Sequence, residues 1–369
     1  MQPRRGIPDN RKSPDVSQLY KLIYPLIRPL DPELAHSLTV KALQSGLAGL
    51  AFNERDTDSP VLRSRVFGLD FKNPVGLAAG FDKHAQMPDA ILKLGFGFTE
   101  AGTVTPLAQP GHPKPRLFRL TEDRAVINRF GFNSQGLDPF KRRLEKRNAN
   151  PDKAPGIFGA NLGANKESQD RIQDYVTGLE TLHGFADYFT INVSSPNTPG
   201  LPGLQDKAEL VDLIHRLKSV GSRAPLLLKI APDVSDGELE EICQTVVEKE
   251  IGGLIISNTT LARPENLKSA HASETGGLSG APLFDLSTER LGRAYKLTGG
   301  KIPLIGVGGI SSGREAYSKI LNGASLVQLY SAMVFEGPAL VQKVKSELRL
   351  CLKADGFSNV AEAVGQMVK

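Results

Sequence analysis

The sequence predicts an α/β chain built as a (β/α)8 TIM barrel with an N-terminal amphipathic helical extension. Eight short apolar runs, most of them ending at Gly, Asn, Ser or Thr, alternate with stretches long enough for a helix, which is the rhythm of parallel strands joined by helical crossovers. The 37 glycines gather in short clusters, as tight strand-to-helix turns require. Ahead of the strands, apolar residues recur at helical rather than strand spacing.

Residues 1–14 form a polar tail. Leu19, Leu22, Ile23, Leu26, Ile27 and Leu30 then make a helical stripe that Pro25 and Pro29 must shorten, kink or break. Asp31-Pro32 reads as an N-cap followed by proline at N1. A second helix should follow to about Leu47, its stripe made by Leu34, Ala35, Leu38, Ala42 and Leu43. A charged loop covers Asn53 to Ser59. The boundaries are thus a tail (1–14), a helical unit (15–55) and a barrel (56–369). Val66 to Phe71 reads as a hairpin, and the barrel strands are Val75–Ala79, Phe98–Thr103, Ile157–Asn161, Tyr188–Val193, Leu226–Ile230, Gly253–Ser257, Leu304–Val307 and Leu326–Leu329. A doubly wound sheet would open its first helix with Gly-x-Gly-x-x-Gly, which Leu77 to Asp82 does not supply. Long insertions follow the second strand (Pro106–Phe118 and Asn128–Asn133) and the sixth (Leu261–Lys301), where barrels build substrate sites and lids.

Composition narrows the function. Hydrophobic residues make up 40% and charged residues 23%, which suits neither a disordered chain nor a membrane bundle. Cys243 and Cys351 are too few for a disulfide framework or a thiolate cluster, and the six histidines show no metal spacing. A net charge of +5 permits anionic ligands or an anionic bilayer without announcing nucleic acid. The longest uncharged apolar stretch, Ile320 to Phe335, falls short of the ~18 residues a membrane span needs. The basic start lacks the apolar core of a signal peptide, so the protein is expected to stay where it is made.

Polar residues cluster at strand ends. Asn192 to Gly200 is dense with donors and acceptors; it reads as a turn or as a site, and its serines lack an adjacent histidine, so a serine base there needs a relay and a closed site. Lys229 lies in the apolar run Leu226–Ile230, where a lysine needs an anion because helices cover the outer face of barrel strands. Lys83, in a loop, is a ligand or simply solvated; His84 beside it reads as structural or solvated. Gly306-Val307-Gly308-Gly309-Ile310 after the seventh strand, with Tyr330-Ser331 after the eighth, matches the phosphate loop of many barrels. The basic run around Lys141 to Arg147 reads as a solvated helix face. These residues point to a phosphate-bearing ligand and leave the reaction open, a phosphate-binding isomerase or lyase included.

Taken together, Leu77–Lys83, Asn128–Asn133, Ile191–Thr198, Lys229–Asp233, Ser257–Thr260, Gly276–Gly280 and Gly306–Ile310 resemble dihydroorotate dehydrogenase over nearly the whole chain. Serine at position 195, where the class 1 enzymes have cysteine, and the helical extension resemble class 2, the quinone-dependent enzymes. That resemblance implies oxidation of (S)-dihydroorotate to orotate in UMP biosynthesis. Ser195 takes the C5 proton while C6 gives hydride to N5 of FMN. Lys83, Asn128, Asn192, Asn197 and Asn258 hold the substrate, with Thr259 nearby and backbone contacts from Arg129, Phe130, Gly131 and Phe132. For FMN it implies Ala79, Gly80 and Thr103 at the ring, Asn161 and Asn192 bonding it, and Lys229 at N1 and O2. Ser257, Gly280, Gly308, Gly309, Tyr330 and Ser331 complete its ribityl and phosphate path. His36 and Arg119 match positions at the head of a ubiquinone or menaquinone, with the helices resting on a membrane. The expectation is a monomer, peripheral at the cytoplasmic face of a bacterial inner membrane, with no metal and no nucleic acid. The loop departs from the family at Leu201-Pro202-Gly203-Leu204, where an arginine often follows the leucine.

Overall fold

A computed structural model describes residues 16–45, 58–195, 197 and 201–368. The polar tail, Leu47, and Pro196 and Thr198 to Gly200 of the loop after the fourth barrel strand lie outside the described residues.

The chain opens with α1 (Val16–Ile27) and α2 (Pro32–Gln44). Pro25 falls in the last turn of α1, so the helix is short but unbroken up to Ile27. Asp31 caps α2 as its sequence implies, Oδ1 accepting from the backbone N–H groups of Glu33 (3.1 Å) and Leu34 (2.9 Å). The apolar stripe of α2 divides. Ala35, Val40 and Leu43 are buried, whereas Leu34 and Leu38 are exposed.

Strands β1 (Ser64–Val66) and β2 (Leu69–Phe71) form the expected hairpin, in which Val66 pairs with Leu69. The barrel follows as β3 (Val75–Asp82), α3 (Pro88–Lys93), β4 (Phe98–Val104), then β5 (Leu117–Leu120), β6 (Ala125–Asn128), α4 (Leu137–Asn148), β7 (Ile157–Leu162), α5 (Arg171–Leu182), β8 (Tyr188–Asn192) and α6 (Lys207–Ser219). It continues with β9 (Leu226–Ile230), α7 (Asp236–Glu248), β10 (Gly253–Ile256), β11 (Gly277–Gly280), α8 (Phe284–Thr298), β12 (Leu304–Val307), α9 (Gly313–Leu321), β13 (Ala324–Leu329), α10 (Met333–Glu336) and α11 (Leu340–Ala354). Strands β3, β4, β7, β8, β9, β10, β12 and β13 pair in parallel and close on themselves, so the eight expected strands are the eight observed. Their residues are buried almost throughout because crossover helices cover the outside and side chains fill the inside.

The two insertions are joined by a feature that periodicity does not reveal. Strands β5, β6 and β11 form an antiparallel sheet in the order β11-β6-β5, with Asn128 opposite both Leu117 and Gly277. Phe118, Leu120, Ala125, Ile127 and Leu278 give that sheet a small core of its own.

Candidate active site

One cavity of about 460 Å³ opens at the carboxyl ends of the barrel strands and runs on beneath α1 and α2. It gathers Ala79, Gly80, Lys83, Thr103, Asn128, Phe130, Gly131, Phe132, Asn192, Ser195, Asn197, Lys229, Ser257, Asn258, Thr259, Gly280, Gly308, Gly309, Tyr330 and Ser331, and at its helical end His36 and Arg119. Two of the residues singled out from sequence do not line it. Asn161 stands one layer behind, and Arg129 turns its side chain to Glu274 (2.8 Å) and the face of Phe118, leaving only its backbone to offer.

The floor is a chain of amides. Asn192 Nδ2 donates to Thr103 Oγ1 (3.0 Å), which donates to Asn161 Oδ1 (2.6 Å). Asn161 Nδ2 donates in turn to the buried carboxylate of Glu100 (2.6 Å). Tyr188 and Gln328 also donate to Glu100, at 3.1 and 3.0 Å. Glu100 therefore anchors the layer beneath the cavity, and sequence reasoning missed it because its strand, Phe98 to Val104, is of mixed character and gives a charge no contrast. Charge placed there needs several donors, and three side chains supply them.

The register sets Lys229 beside this layer, since Asn192 of β8 pairs directly with Lys229 of β9. Lys229 is 6% exposed and its ammonium donates to no other described residue. Burial pushes it below the ordinary lysine range, while the Glu100 carboxylate pulls it up.

The two serines after β8 have different surroundings. Ser194 is held in the amide chain, donating to Asn192 Oδ1 (2.9 Å) and accepting from Asn258 Nδ2 (3.0 Å). Ser195, 5% exposed, lines the cavity. Asn258 Oδ1 accepts from the Thr259 N–H (2.8 Å), which fixes that amide's orientation. Across the cavity, Asn197 Nδ2 donates to the Asn128 carbonyl (3.2 Å), tying the loop after β8 to the three-stranded sheet. Farther along the same loop, Pro202–Gln205 forms a tight 3-10 turn with Leu201 and Leu204 buried.

Lys83 sits in a turn organised by Asp82, whose carboxylate accepts from the N–H groups of Gln86 (2.8 Å) and Met87 (2.9 Å). After β12, Gly308 and Gly309 have φ of +115° and +76°, a conformation that suits glycine. The backbone N–H groups of Gly308, Gly309 and Ser331 donate to no other described residue.

The profile of the dihydroorotate dehydrogenase family matches residues 61–352. A dihydroorotate dehydrogenase (quinone) of Azorhizobium caulinodans is 55% identical over 359 residues, covering 94% of this chain and 99% of that protein. One from Xanthobacter autotrophicus is 54% identical and covers 95% and 99%. The crystal structure of DHODH from Eimeria tenella in complex with ferulenol superposes with a TM-score of 0.89 at 40% identity, covering 93% of this chain and 98% of that one. The chain belongs to the dihydroorotate dehydrogenase family.

Among dihydroorotate dehydrogenases this chain's helical end shows how α2 is fastened. Glu33 accepts from Arg116 at two points, Nη2 to Oε1 (2.7 Å) and Nε to Oε2 (3.2 Å), and Arg116 Nη1 donates to the carbonyls of Pro110 and His112. Burial raises the Glu33 carboxyl, but the Arg116 hydrogen bond and the charges of Arg116, Lys114 and Lys83 outweigh it and hold the group below the usual range. His36 packs edge-on against Phe81 (centroids 5.2 Å), and burial pushes it down to about 4, so it is neutral near pH 7. Arg119 donates to the Arg28 carbonyl (2.8 Å), while its buried Nε has no partner among the described residues.

Proposed function

We propose that this chain oxidises dihydroorotate to orotate in pyrimidine biosynthesis and passes the electrons to a membrane quinone, with flavin mononucleotide held in the barrel mouth. One observation carries the reading. Ser195, the Lys83 ammonium and the amides of Asn128, Asn192, Asn197 and Asn258 converge on a single cavity. An ammonium suits a carboxylate, and side-chain amides match the alternating N–H and C=O groups of a pyrimidine ring. The names of the relatives support both the substrate and the quinone acceptor.

The residues present fit a phosphorylated flavin on two counts. Lys229 is a buried ammonium without a hydrogen-bond partner among the described residues, and the N–H groups of Gly308, Gly309 and Ser331 likewise donate to none of them. When bound, flavin mononucleotide supplies a two-electron acceptor next to the substrate carbon. Ala79, Gly80, Thr103, Asn192 and Ser257 would flank its ring and chain, Asn161 holding Thr103 and Asn192 from the layer behind, and Gly280, Gly308, Gly309, Tyr330 and Ser331 would hold its phosphate end. Lys229 places positive charge where the ring gathers electrons. Ser195 removes the proton from C5 in a site that its own burial keeps dry. Asn128 to Phe132 and Thr259 close the substrate pocket with backbone and hydroxyl groups.

The segment 15–55 serves as the quinone-access unit and 56–369 as the flavin barrel. Leu22 and Leu26 of α1 are 74% and 75% exposed, and Leu34 and Leu38 of α2 are 49% and 48% exposed. Large apolar side chains left in contact with solvent suit helices that lie in the bilayer interface. Among the described residues no helix is long and apolar enough to cross a membrane. The exposed leucines support a peripheral enzyme, which this reading sets at the cytoplasmic face of the inner membrane. His36 and Arg119 then meet the quinone head. In lipid–detergent micelles, dihydroorotate should reduce a short-chain ubiquinone, with NAD⁺ and fumarate inactive as acceptors. Reduction of fumarate or NAD⁺ in place of the quinone would replace the quinone reading with that of a soluble acceptor.

A further inference from the structure

Behind the glycine loop lies a buried lysine that the reaction does not use. Lys319 of α9 is 0% exposed. Its Nζ donates to Ser287 Oγ (2.6 Å) and more weakly to the Phe284 carbonyl (3.4 Å), both in the first turn of α8. Its ammonium also lies 5.0 Å from the centroid of the Phe284 ring. Among the described residues no carboxylate comes within ion-pair distance of it; Asp285 and Glu315 act only from farther away. A buried ammonium bonded to neutral oxygens is costly unless an anion lies near. Its position raises that cost, because the first turn of a helix already carries partial positive charge.

The hydrogen bonds from Lys319 lead to the loop proposed to hold the phosphate. Ser287 Oγ lies 2.7 Å from the Leu283 carbonyl oxygen and 3.3 Å from that of Gly308. The Gly308–Gly309 peptide is trans, so its carbonyl and its N–H point in opposite directions. The carbonyl faces Ser287. The N–H belongs to Gly309, points away from Ser287 within the same peptide plane, and donates to no other described residue. Gly309 lines the cavity, and a Cβ built on it would lie 2.4 Å from Phe284 Cβ, so the loop is pressed against the turn that carries the lysine's acceptors. Lys319 polarises the Ser287 hydroxyl, whose one proton goes mainly to the Leu283 carbonyl (2.7 Å) and is shared more weakly with those of Phe284 (3.2 Å) and Gly308 (3.3 Å), so part of the cation's effect reaches the Gly308–Gly309 peptide.

We propose that Lys319 is the buried counter-cation of the flavin phosphate, acting through Ser287 and the Gly308 carbonyl on the Gly309 N–H, and so is a positioning residue that favours a phosphorylated flavin over an unphosphorylated one. The inference rests on the flavin reading above. It explains why a lysine rather than an apolar side chain fills this part of the core.

The test compares two ligands that differ only in the phosphate. The full-length chain, stripped of flavin, is titrated with flavin mononucleotide and with riboflavin, and the quenching of flavin fluorescence is followed. In Lys319→Met the Kd for flavin mononucleotide should rise about tenfold or more, while that for riboflavin stays within about twofold. Ser287→Ala, which keeps the lysine, should move the same ratio in the same direction by about threefold, and it decides the matter if Lys319→Met does not fold. Equal loss of both flavins, or no change in their ratio, would overturn the proposal and leave the flavin reading intact. A wild-type chain that binds neither flavin would overturn both.

Discussion

The ammonium of Lys83 sits 3.2 Å from the centroid of the Phe130 ring, at the point where the loop after β3 meets the segment after β6. The ring's negative face holds the cation in place without neutralising it, and the charge remains available to a ligand carboxylate. Burial pushes Lys83 down to about 7, the Glu33 carboxylate pulling it up and Arg116 pushing it farther down. A lysine is charged below its pKa, so affinity for orotate should be full below about pH 7. It should then weaken by about tenfold per unit as the pH rises through that value, until the pKa of the bound state is reached. Orotate titrations read by flavin absorbance between about pH 6 and 9 check this, and Lys83→Met should abolish the rise and bind weakly throughout. A dissociation constant that is flat across the range contradicts the assignment.

Ser195→Ala should slow flavin reduction by dihydroorotate by about 10² to 10⁴-fold, the usual contribution of a general base. Binding of orotate should change little, because the amides and Lys83 remain. Stopped-flow mixing under anaerobic conditions separates the two effects. Ser194→Ala is the informative control. Ser194 is held by Asn192 and Asn258, so its loss should disturb substrate affinity more than the chemical step.

The Glu33–Arg116 pair joins α2 to the segment leading into β5, with side chains 17% and 10% exposed. Removing one partner should cost about 2 kcal/mol, between the ~1 kcal/mol of an exposed pair and the 3 kcal/mol or more of a buried one. For Arg116→Met this appears as a lower thermal midpoint. The Glu33 carboxyl is held below its usual range when folded, so its stabilisation is present above its unfolded pKa and is lost as pH falls through the folded one. The acid sensitivity of the wild type in that window should be reduced in Glu33→Gln.

His36 is neutral near pH 7, so it can meet a quinone only as an uncharged hydrogen-bonding ring. His36→Ala should raise the KM for quinone severalfold and leave flavin reduction by dihydroorotate unchanged, as the two half-reactions measured separately will show. An equal effect on both halves would place His36 outside the quinone path.

The barrel was legible in the sequence because its strands are buried on both faces and so read as apolar runs. Their ends were legible because turns need Gly, Asn and Ser. Lys229 stood out for the same reason, as a charge within such a run. What escaped notice was polar burial without contrast. Glu100 lies in a strand of mixed character, Phe98 to Val104, and only the fold reveals the three donors around it. Lys319 lies on a helix whose sequence, Gly313 to Leu321, resembles an ordinary solvated one. The sheet of β5, β6 and β11 depends on pairing across about 150 residues, which no local period encodes. Leu34 and Leu38 share one helical stripe with Ala35 and Leu43, yet they are exposed where those two are buried, since helical spacing marks a face without naming what covers it.

On the reading proposed above, one cavity holds a flavin, takes electrons from dihydroorotate and gives them to a quinone. Anaerobic addition of dihydroorotate to the purified full-length protein, followed near ~450 nm where bound flavins absorb, tests it most directly. Bleaching on addition of substrate, and recovery on addition of a short-chain quinone, is the predicted result. A yellow protein that dihydroorotate does not bleach would contradict the substrate assignment. A bleached protein that the quinone fails to reoxidise would contradict the acceptor.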